Sequence, residues 1–205
     1  MTLPPCRSWF PQGKQLKVAY QAPEGRRVNA IGAHFTHGPL AGLFEFQSWA
    51  MLPKSRAKKA RKTPEQRAAA HGLGVEEIGP ITSERLLEFI WKVAGRGCDT
   101  GDEWKRERDL VVVLDNYSVH TSKVVKEAKG ALEAAGVQLV HLPSYSPELS
   151  RIEPDWNDIK QHQLPVRSFE KVADLKKAVD EALARKAYLL QHANAGTATL
   201  RRAYT

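Results

Sequence analysis

The sequence predicts a mixed α/β fold in which helices lie on the faces of a sheet. Three observations indicate this class. Two apolar segments with partial alternation flank a Gly-Pro turn, a strand–helix–strand unit follows them, and amphipathic helices complete the pattern. A hairpin pairs its strands antiparallel and a βαβ unit pairs them parallel, so both arrangements are expected in the sheet.

The first two strands are predicted over residues 27–35 and 42–50. Gly38-Pro39 between them is a turn signal, so the two strands should form a β-hairpin.

A basic run and a short helix follow the hairpin. Lys54–Lys62 carries six basic side chains in nine residues. Thr63 then suits a helix N-cap that Gln66 closes, and Gly72 should end this helix. Residues 54–72 are therefore predicted to be a basic surface insertion.

The middle of the chain predicts a βαβ unit. Residues 110–114 are a short β-branched run, as expected of a strand buried on both faces. A helix over 121–135, stopped by Gly136, and a strand over 137–142 follow. The two strands should be parallel.

Three further helices are predicted around this unit. The first begins at Thr82 or Ser83 and reaches Ala94, where a Gly-rich segment ends it. The others cover about 154–162, with a proline in the first turn, and about 169–188. Residues 1–188 are thus expected to form one domain, and residues 189–205 a C-terminal tail.

The overall composition favours a polyanionic partner. The chain has 205 residues, with 31 Lys and Arg against 23 Asp and Glu, which gives a net charge of +8. Such an excess is typical of proteins that bind nucleic acid. The alternative, a basic protein without such a partner, stays open on charge alone.

Several classes of protein are disfavoured. Cys6 and Cys98 are far apart and form neither a disulfide framework nor a zinc motif. No stretch has the length and apolarity of a membrane span, and the N-terminus lacks the apolar core of a signal peptide. We therefore expect a cytoplasmic protein with no membrane partner, associated with the nucleoid if it is bacterial.

Two carboxylates occupy positions where a site is expected. Asp115 follows the first parallel strand, and sites of open α/β sheets form beyond such strand ends. Glu153 follows a turn with two prolines and begins the next helix. The alternatives are a turn-forming role for Asp115 and compensation of the helix dipole by Glu153. The neighbouring carboxylates are expected to be solvated; they are Glu148, Asp155 and Asp158.

Two sequence blocks carry a resemblance to a known family. They are VVVLDNYSVHTSK at residues 111–123 and VQLVHLPSYSPELSRIEPDWNDIK at residues 137–160. In order, spacing and structural context, both resemble the DDE superfamily endonuclease domain of mariner-like insertion-sequence transposases. A weaker resemblance extends over about residues 7–183, including RSWFPQGKQ near the N-terminus.

The resemblance implies a ribonuclease H-like mixed sheet flanked by helices. It also implies metal-dependent DNA cleavage and strand transfer in DNA transposition, with Asp115 and Glu153 as catalytic residues and as ligands of two Mg²⁺ or Mn²⁺ ions. Asn116 and His120 match the motif and are candidates to support the metal ligands or to contact DNA, with a structural role as the alternative. The implied partners are transposon-end and target DNA and a second copy of the chain, with no small-molecule cofactor.

The basic run fits a DNA partner as well. Its side chains are candidate contacts to DNA phosphates, with a solvated loop as the alternative. They are Lys54, Arg56, Lys58, Lys59, Arg61 and Lys62.

The sequence departs from the family pattern at two places. Ser150-Arg151 replaces the commoner Asn-Pro, which makes Arg151 a further candidate for a phosphate contact. The family's first catalytic Asp lies on a strand before the segment similar to RSWFPQGKQ, whereas here no Asp or Glu precedes Glu24. We therefore expect a truncated domain that lacks the first strand, has an incomplete carboxylate triad and binds metal weakly. The alternative function is a non-catalytic transposase remnant that binds DNA or oligomerises.

Overall fold

A computed structural model of the protein describes residues 26–52, 63–97, 101, 103–143, 146–165 and 169–203. The predicted basic run at 54–62 and the segment before the hairpin lie outside the described residues. The chain divides into two compact units. The hairpin unit comprises the described residues up to Pro80 and from Pro154 onwards, and the βαβ unit is Ile81–Glu153.

The hairpin unit begins with strands β1 (Arg27–His34) and β2 (Phe44–Met51), which pair antiparallel over their whole length. Gly38 and Gly42 adopt positive φ in the connection, a conformation that glycine allows without steric cost. The predicted hairpin is confirmed. Among the described residues, β2 is the only strand paired with β1, while the outer edge of β2 carries a single parallel bridge from Ala50 to Ile78.

Helix α1 (Pro64–Ala69) has the predicted capping box. The Thr63 hydroxyl accepts from the Gln66 backbone N–H, and the Gln66 side chain accepts from the Thr63 N–H. A short 3-10 helix, Val75–Glu77, follows.

Helices α4 and α5 complete the hairpin unit. α4 (Glu153–Asp158) continues directly as a π-helical segment, Ile159–Gln163. α5 (Val172–Ala203) packs against the hairpin, mainly against β2. The predicted end near Tyr188 is wrong, because the Ala-rich sequence beyond it has high helix propensity and a single glycine does not stop it. The buried residues of this core include Val28, Phe44, Trp49, Ala50, Ile159, Val172, Val179 and Leu183.

The βαβ unit follows the prediction closely in its element order. It consists of α2 (Ser83–Ala94), β3 (Leu110–Leu114), α3 (Lys123–Ala134) and β4 (Val137–His141). β3 and β4 pair parallel, and α2 packs against α3. Gly95 and Gly136 end the two helices with φ of 86° and 80°. The apolar residues buried in this unit include Leu86, Phe89, Ile90, Val93, Leu114, Val125, Leu132 and Val137.

The burial of β3 differs from the prediction. Val111 and Val113 are 54% and 56% exposed. Val140, beside them on β4, is 46% exposed. The other face of this sheet is the covered one, with Leu114 and Val137 buried. A run of β-branched residues favours a strand but does not fix which faces are covered, so the prediction of two buried faces is wrong. The described strands form two two-stranded sheets in a mixed α/β protein.

Candidate active site

Asp115 is the first residue after β3, at the carboxyl end of a parallel strand. Its carboxylate is 56% exposed. The Tyr117 backbone N–H donates to Asp115 Oδ1 at 3.0 Å. This local bond is an Asx-type turn, so the turn-forming role considered from the sequence is real. It leaves the side chain open to solvent, where a ligand can reach it.

His120 lies against the same carboxylate. Its Nδ1 is 2.6 Å from Asp115 Oδ1 and 3.2 Å from the Asp115 carbonyl oxygen. The imidazole also packs edge-on against Tyr117, with ring centroids 6.0 Å apart. The His120 side chain is only 18% exposed, so this contact is partly shielded from water on the imidazole side. The Tyr117 N–H and His120 Nδ1 both contact Asp115 Oδ1, which leaves Asp115 Oδ2 for a ligand.

Asn116 and His141 join the loops that follow the two parallel strands. The Asn116 side-chain amide donates to the Leu142 carbonyl oxygen at 2.6 Å. His141 ends β4 opposite Leu114, and its Nε2 lies 3.4 Å from the His120 carbonyl oxygen. Asn116 therefore has a structural role in this loop. His141 was not predicted as part of the site, although the parallel register of a βαβ unit places the ends of both strands side by side.

Glu153 is the first residue of α4, as predicted. A 3-10 turn at Pro147–Leu149 leads into the helix, and the Glu153 N–H donates to the Ser150 carbonyl oxygen at 3.3 Å. Pro154 fits the first turn because its missing N–H has no helical partner there. The Glu153 side chain is exposed, as is that of Arg151 in the preceding turn.

Part of the chain is similar to a known protein family. Residues 75–176 match the family model described as DDE superfamily endonuclease. Over this stretch the chain is similar to the DDE superfamily endonucleases. It spans about half of the chain and contains Asp115, Glu153 and both sequence blocks. No curated protein matches the chain.

The exposed carboxylates of the endonuclease stretch have the donor chemistry of a Mg²⁺ or Mn²⁺ site. Both ions prefer oxygen ligands, and Mg²⁺ is often held by one or two carboxylates together with water and substrate phosphate. Within the described residues, however, no group of three or more His, Cys, Asp or Glu is placed to hold a metal ion. Asp115 and Glu153 are two oxygen donors of the kind that such a site uses.

The burial of Asp155 contradicts one prediction about the carboxylates near Glu153. It was predicted to be solvated, but it is only 6% exposed. Its Oδ1 lies 3.0 Å from Lys186 Nζ, and its Oδ2 lies 2.7 Å from His34 Nδ1. Asp158 is half-buried and pairs with the same Lys186, whereas Glu148 is exposed as predicted. The cause is helical geometry, because Asp155 lies four positions before the fully buried Ile159, which begins the continuation of α4, and so faces the same side.

The electrostatics of Lys186 reflect these two partners. Burial lowers the pKa of Lys186, but the hydrogen bonds to Asp155 and Asp158, with the charges of both carboxylates, outweigh burial. The net result is a pKa above the ordinary value of 10.5, so this ammonium group stays charged at neutral pH.

Trp156 packs α4 against the hairpin. Its ring meets Phe44 edge-on with centroids 5.9 Å apart. Its six-membered ring also covers Gly32, where a Cβ would lie 3.0 Å from two ring carbons. A larger residue at position 32 would push α4 away from the hairpin.

In the part of the chain that the structure describes, no helix is long and apolar enough to cross a membrane.

Proposed function

We propose that this protein is the catalytic part of a mariner-like insertion-sequence transposase, which cleaves DNA and transfers the strand with the help of divalent metal ions. The observation that carries the proposal is the placement of two exposed carboxylates. Asp115 leaves the end of a parallel strand, Glu153 begins α4, and both lie within the DDE endonuclease match. The two sequence blocks around them supply the narrower resemblance to mariner-like elements.

A ribonuclease H-like arrangement is part of this proposal. Its support is the order of an antiparallel hairpin followed by a parallel βαβ unit. In such a fold, the proposed metal ligands are Asp115 and Glu153. Divalent ions, when bound, would activate the attacking water or 3′-hydroxyl and stabilise the leaving oxygen of an in-line displacement.

The surrounding residues would prepare this site. The Tyr117 N–H and His120 fix one oxygen of the Asp115 carboxylate, so that the other is presented in a single direction. Asn116 holds the loop against the end of β4. We propose that Arg151 and the basic run at residues 54–62 bind DNA phosphates, and that a homodimer holds two DNA ends.

Asp115 and Glu153 should bind divalent ions only weakly by themselves. The two matched motifs provide two carboxylates, Asp115 and Glu153. Two carboxylates bind dications more weakly than three, because each missing ligand removes both a charge and a coordinating oxygen. A further carboxylate would have to come from a segment outside the two motifs.

A cleavage assay tests the proposal. A labelled DNA duplex is incubated with the protein and Mg²⁺ or Mn²⁺, beside Asp115→Asn and Glu153→Gln variants. Nicking that depends on the metal and on both carboxylates would support the proposal. Activity that survives both substitutions would contradict the assigned site.

The alternative is a non-catalytic DNA-binding or oligomerising protein with the same fold. The observation that favours it is that no group of three or more His, Cys, Asp or Glu among the described residues is placed to hold a metal ion. Salt-sensitive DNA binding without any metal-dependent cleavage would select this alternative. The net charge of +8 is consistent with either function.

A further inference from the structure

Two carboxylates of α4 share one lysine of α5. Asp155 and Asp158 are three positions apart and therefore lie on the same face of α4. Lys186 Nζ is 3.0 Å from an oxygen of each. The lysine side chain is only 13% exposed, so this contact is largely shielded from water.

A second set of contacts holds the same helix against the hairpin. His34 on β1 bonds the Asp155 oxygen that Lys186 leaves free, and Trp156 packs on Phe44 and Gly32. Asp155 is thus fully satisfied, with one oxygen on α5 and the other on β1. Trp156, the next residue, supplies the apolar contacts between α4 and the hairpin.

α4 needs such anchors because it is short. Its α-helical part has six residues, and isolated helices of this length are unstable in water. Its direction must therefore come from tertiary contacts. Glu153 lies two positions before Asp155 on the same turn, so whatever fixes Asp155 also fixes the backbone that carries Glu153.

We propose that Lys186 is a positioning residue that fixes α4 through Asp155 and Asp158 and so sets the direction of Glu153. The inference rests on the proposed function in one respect, namely that Glu153 ligates a metal. The proposed role of Lys186 involves no contact of its own with metal or DNA. Breaking a shielded ion pair by removing one partner leaves the other charge uncompensated, so substitution of Lys186 should loosen the attachment of α4 to α5.

The chain provides a matched control at Lys176. This lysine is also on α5, and its side chain is also shielded, at 10% exposure. It pairs with Asp180 at 2.7 Å and with Glu77 at 3.4 Å, and neither partner belongs to α4. Lys176→Met and Lys186→Met thus remove equivalent groups from one helix, and only the second should affect α4.

The experiment compares Lys186→Met, Lys186→Arg and Lys176→Met in the full chain by amide hydrogen exchange, Mn²⁺ titration and thermal melting. We expect Lys186→Met to speed exchange over residues 155–158 by about tenfold or more and to weaken Mn²⁺ binding by a similar factor. Lys186→Arg keeps the charge, so its exchange rates over residues 155–158 and its Mn²⁺ affinity should stay near those of the unchanged protein. Lys176→Met should lower Tm but leave the exchange rates over residues 155–158 and the Mn²⁺ affinity near those of the unchanged protein.

The outcomes separate this inference from the proposed function. Equal exchange over α4 in Lys186→Met and Lys176→Met would overturn the positioning role. Faster exchange in Lys186→Met with unchanged Glu153-dependent Mn²⁺ binding would also overturn it. If the unchanged protein shows no Glu153-dependent Mn²⁺ binding, the proposed function fails, and the exchange comparison still decides whether Lys186 anchors α4.

Discussion

His120 Nδ1 lies 2.6 Å from Asp115 Oδ1, so an imidazole and a carboxylate that are five positions apart meet at the end of β3. The contact fixes the carboxylate without burying it. From the motif alone, support of the site, contact with DNA and a structural role all stayed open for His120.

Replacing His120 with Ala should weaken divalent metal binding. The Asp115 carboxylate would rotate more freely, and removal of a group that orients a metal ligand typically costs about tenfold in affinity. Mn²⁺ titration followed by electron paramagnetic resonance measures the change. The control is His37→Ala, since His37 is exposed in the hairpin connection, where its Nδ1 meets the Thr36 hydroxyl. Equal affinities for the two variants would contradict the role of His120.

Replacing Leu132 with Ala should destabilise the protein strongly. Leu132 on α3 is fully buried, and such truncations cost about 2–5 kcal/mol of unfolding free energy. Urea denaturation gives the value. Val111→Ala is the comparison, because Val111 is 54% exposed and its truncation should cost less than about 1 kcal/mol. A large destabilisation at Val111 would show that the exposed face of the β3–β4 sheet is covered in solution.

Glu77 should contribute to stability in a pH-dependent way. The Gly74 backbone N–H donates to it at 2.8 Å and lowers its pKa below the ordinary 4.5; burial opposes this effect, and Lys176 adds to it. A lowered folded-state pKa means that the contribution is present above 4.5 and is lost as pH falls through the folded pKa. The difference in Tm between the unchanged protein and Glu77→Gln should therefore be largest near neutral pH and shrink in acid. A difference that grows as pH falls would contradict this sign.

The basic run should contribute to DNA affinity by neutralising phosphates. We expect Lys58→Gln/Lys59→Gln to weaken binding and to lower the slope of log K against log salt by about 0.9 for each phosphate that the variant no longer neutralises. Fluorescence anisotropy over a range of salt concentrations measures the slope. Lys126→Gln/Lys129→Gln, on exposed positions of α3, removes the same charge elsewhere. Identical slopes for both double variants would mean that the run acts only through net charge.

Local signals in the sequence predicted most of the elements. The caps at Thr63 and Thr82 and the positive-φ glycines at Gly95 and Gly136 stand where the patterns placed them. These features depend on residues within one turn, so they can be identified from sequence alone. The antiparallel and parallel pairings followed from connection length in the same way.

Long-range features were not predictable in this manner. The partner of Asp155 is Lys186, thirty-one positions further along the chain, and nothing in the local sequence indicates that the two meet. The exposure of Val111 and Val113 depends on which elements cover the sheet, which strand propensity does not report. The candidate carboxylates were identifiable from their motifs, whereas the network that holds α4 required the structure.

A double-mutant cycle of Mn²⁺ binding can show whether Asp115 and Glu153 hold the same ion. The affinities of the unchanged protein, Asp115→Asn, Glu153→Gln and the double variant are compared. If both carboxylates hold the same ion, each single substitution should weaken binding by about tenfold or more, and the double variant should be weakened by much less than the sum of the two effects. Affinities that are insensitive to either substitution would show that Asp115 and Glu153 do not form a metal site in this chain.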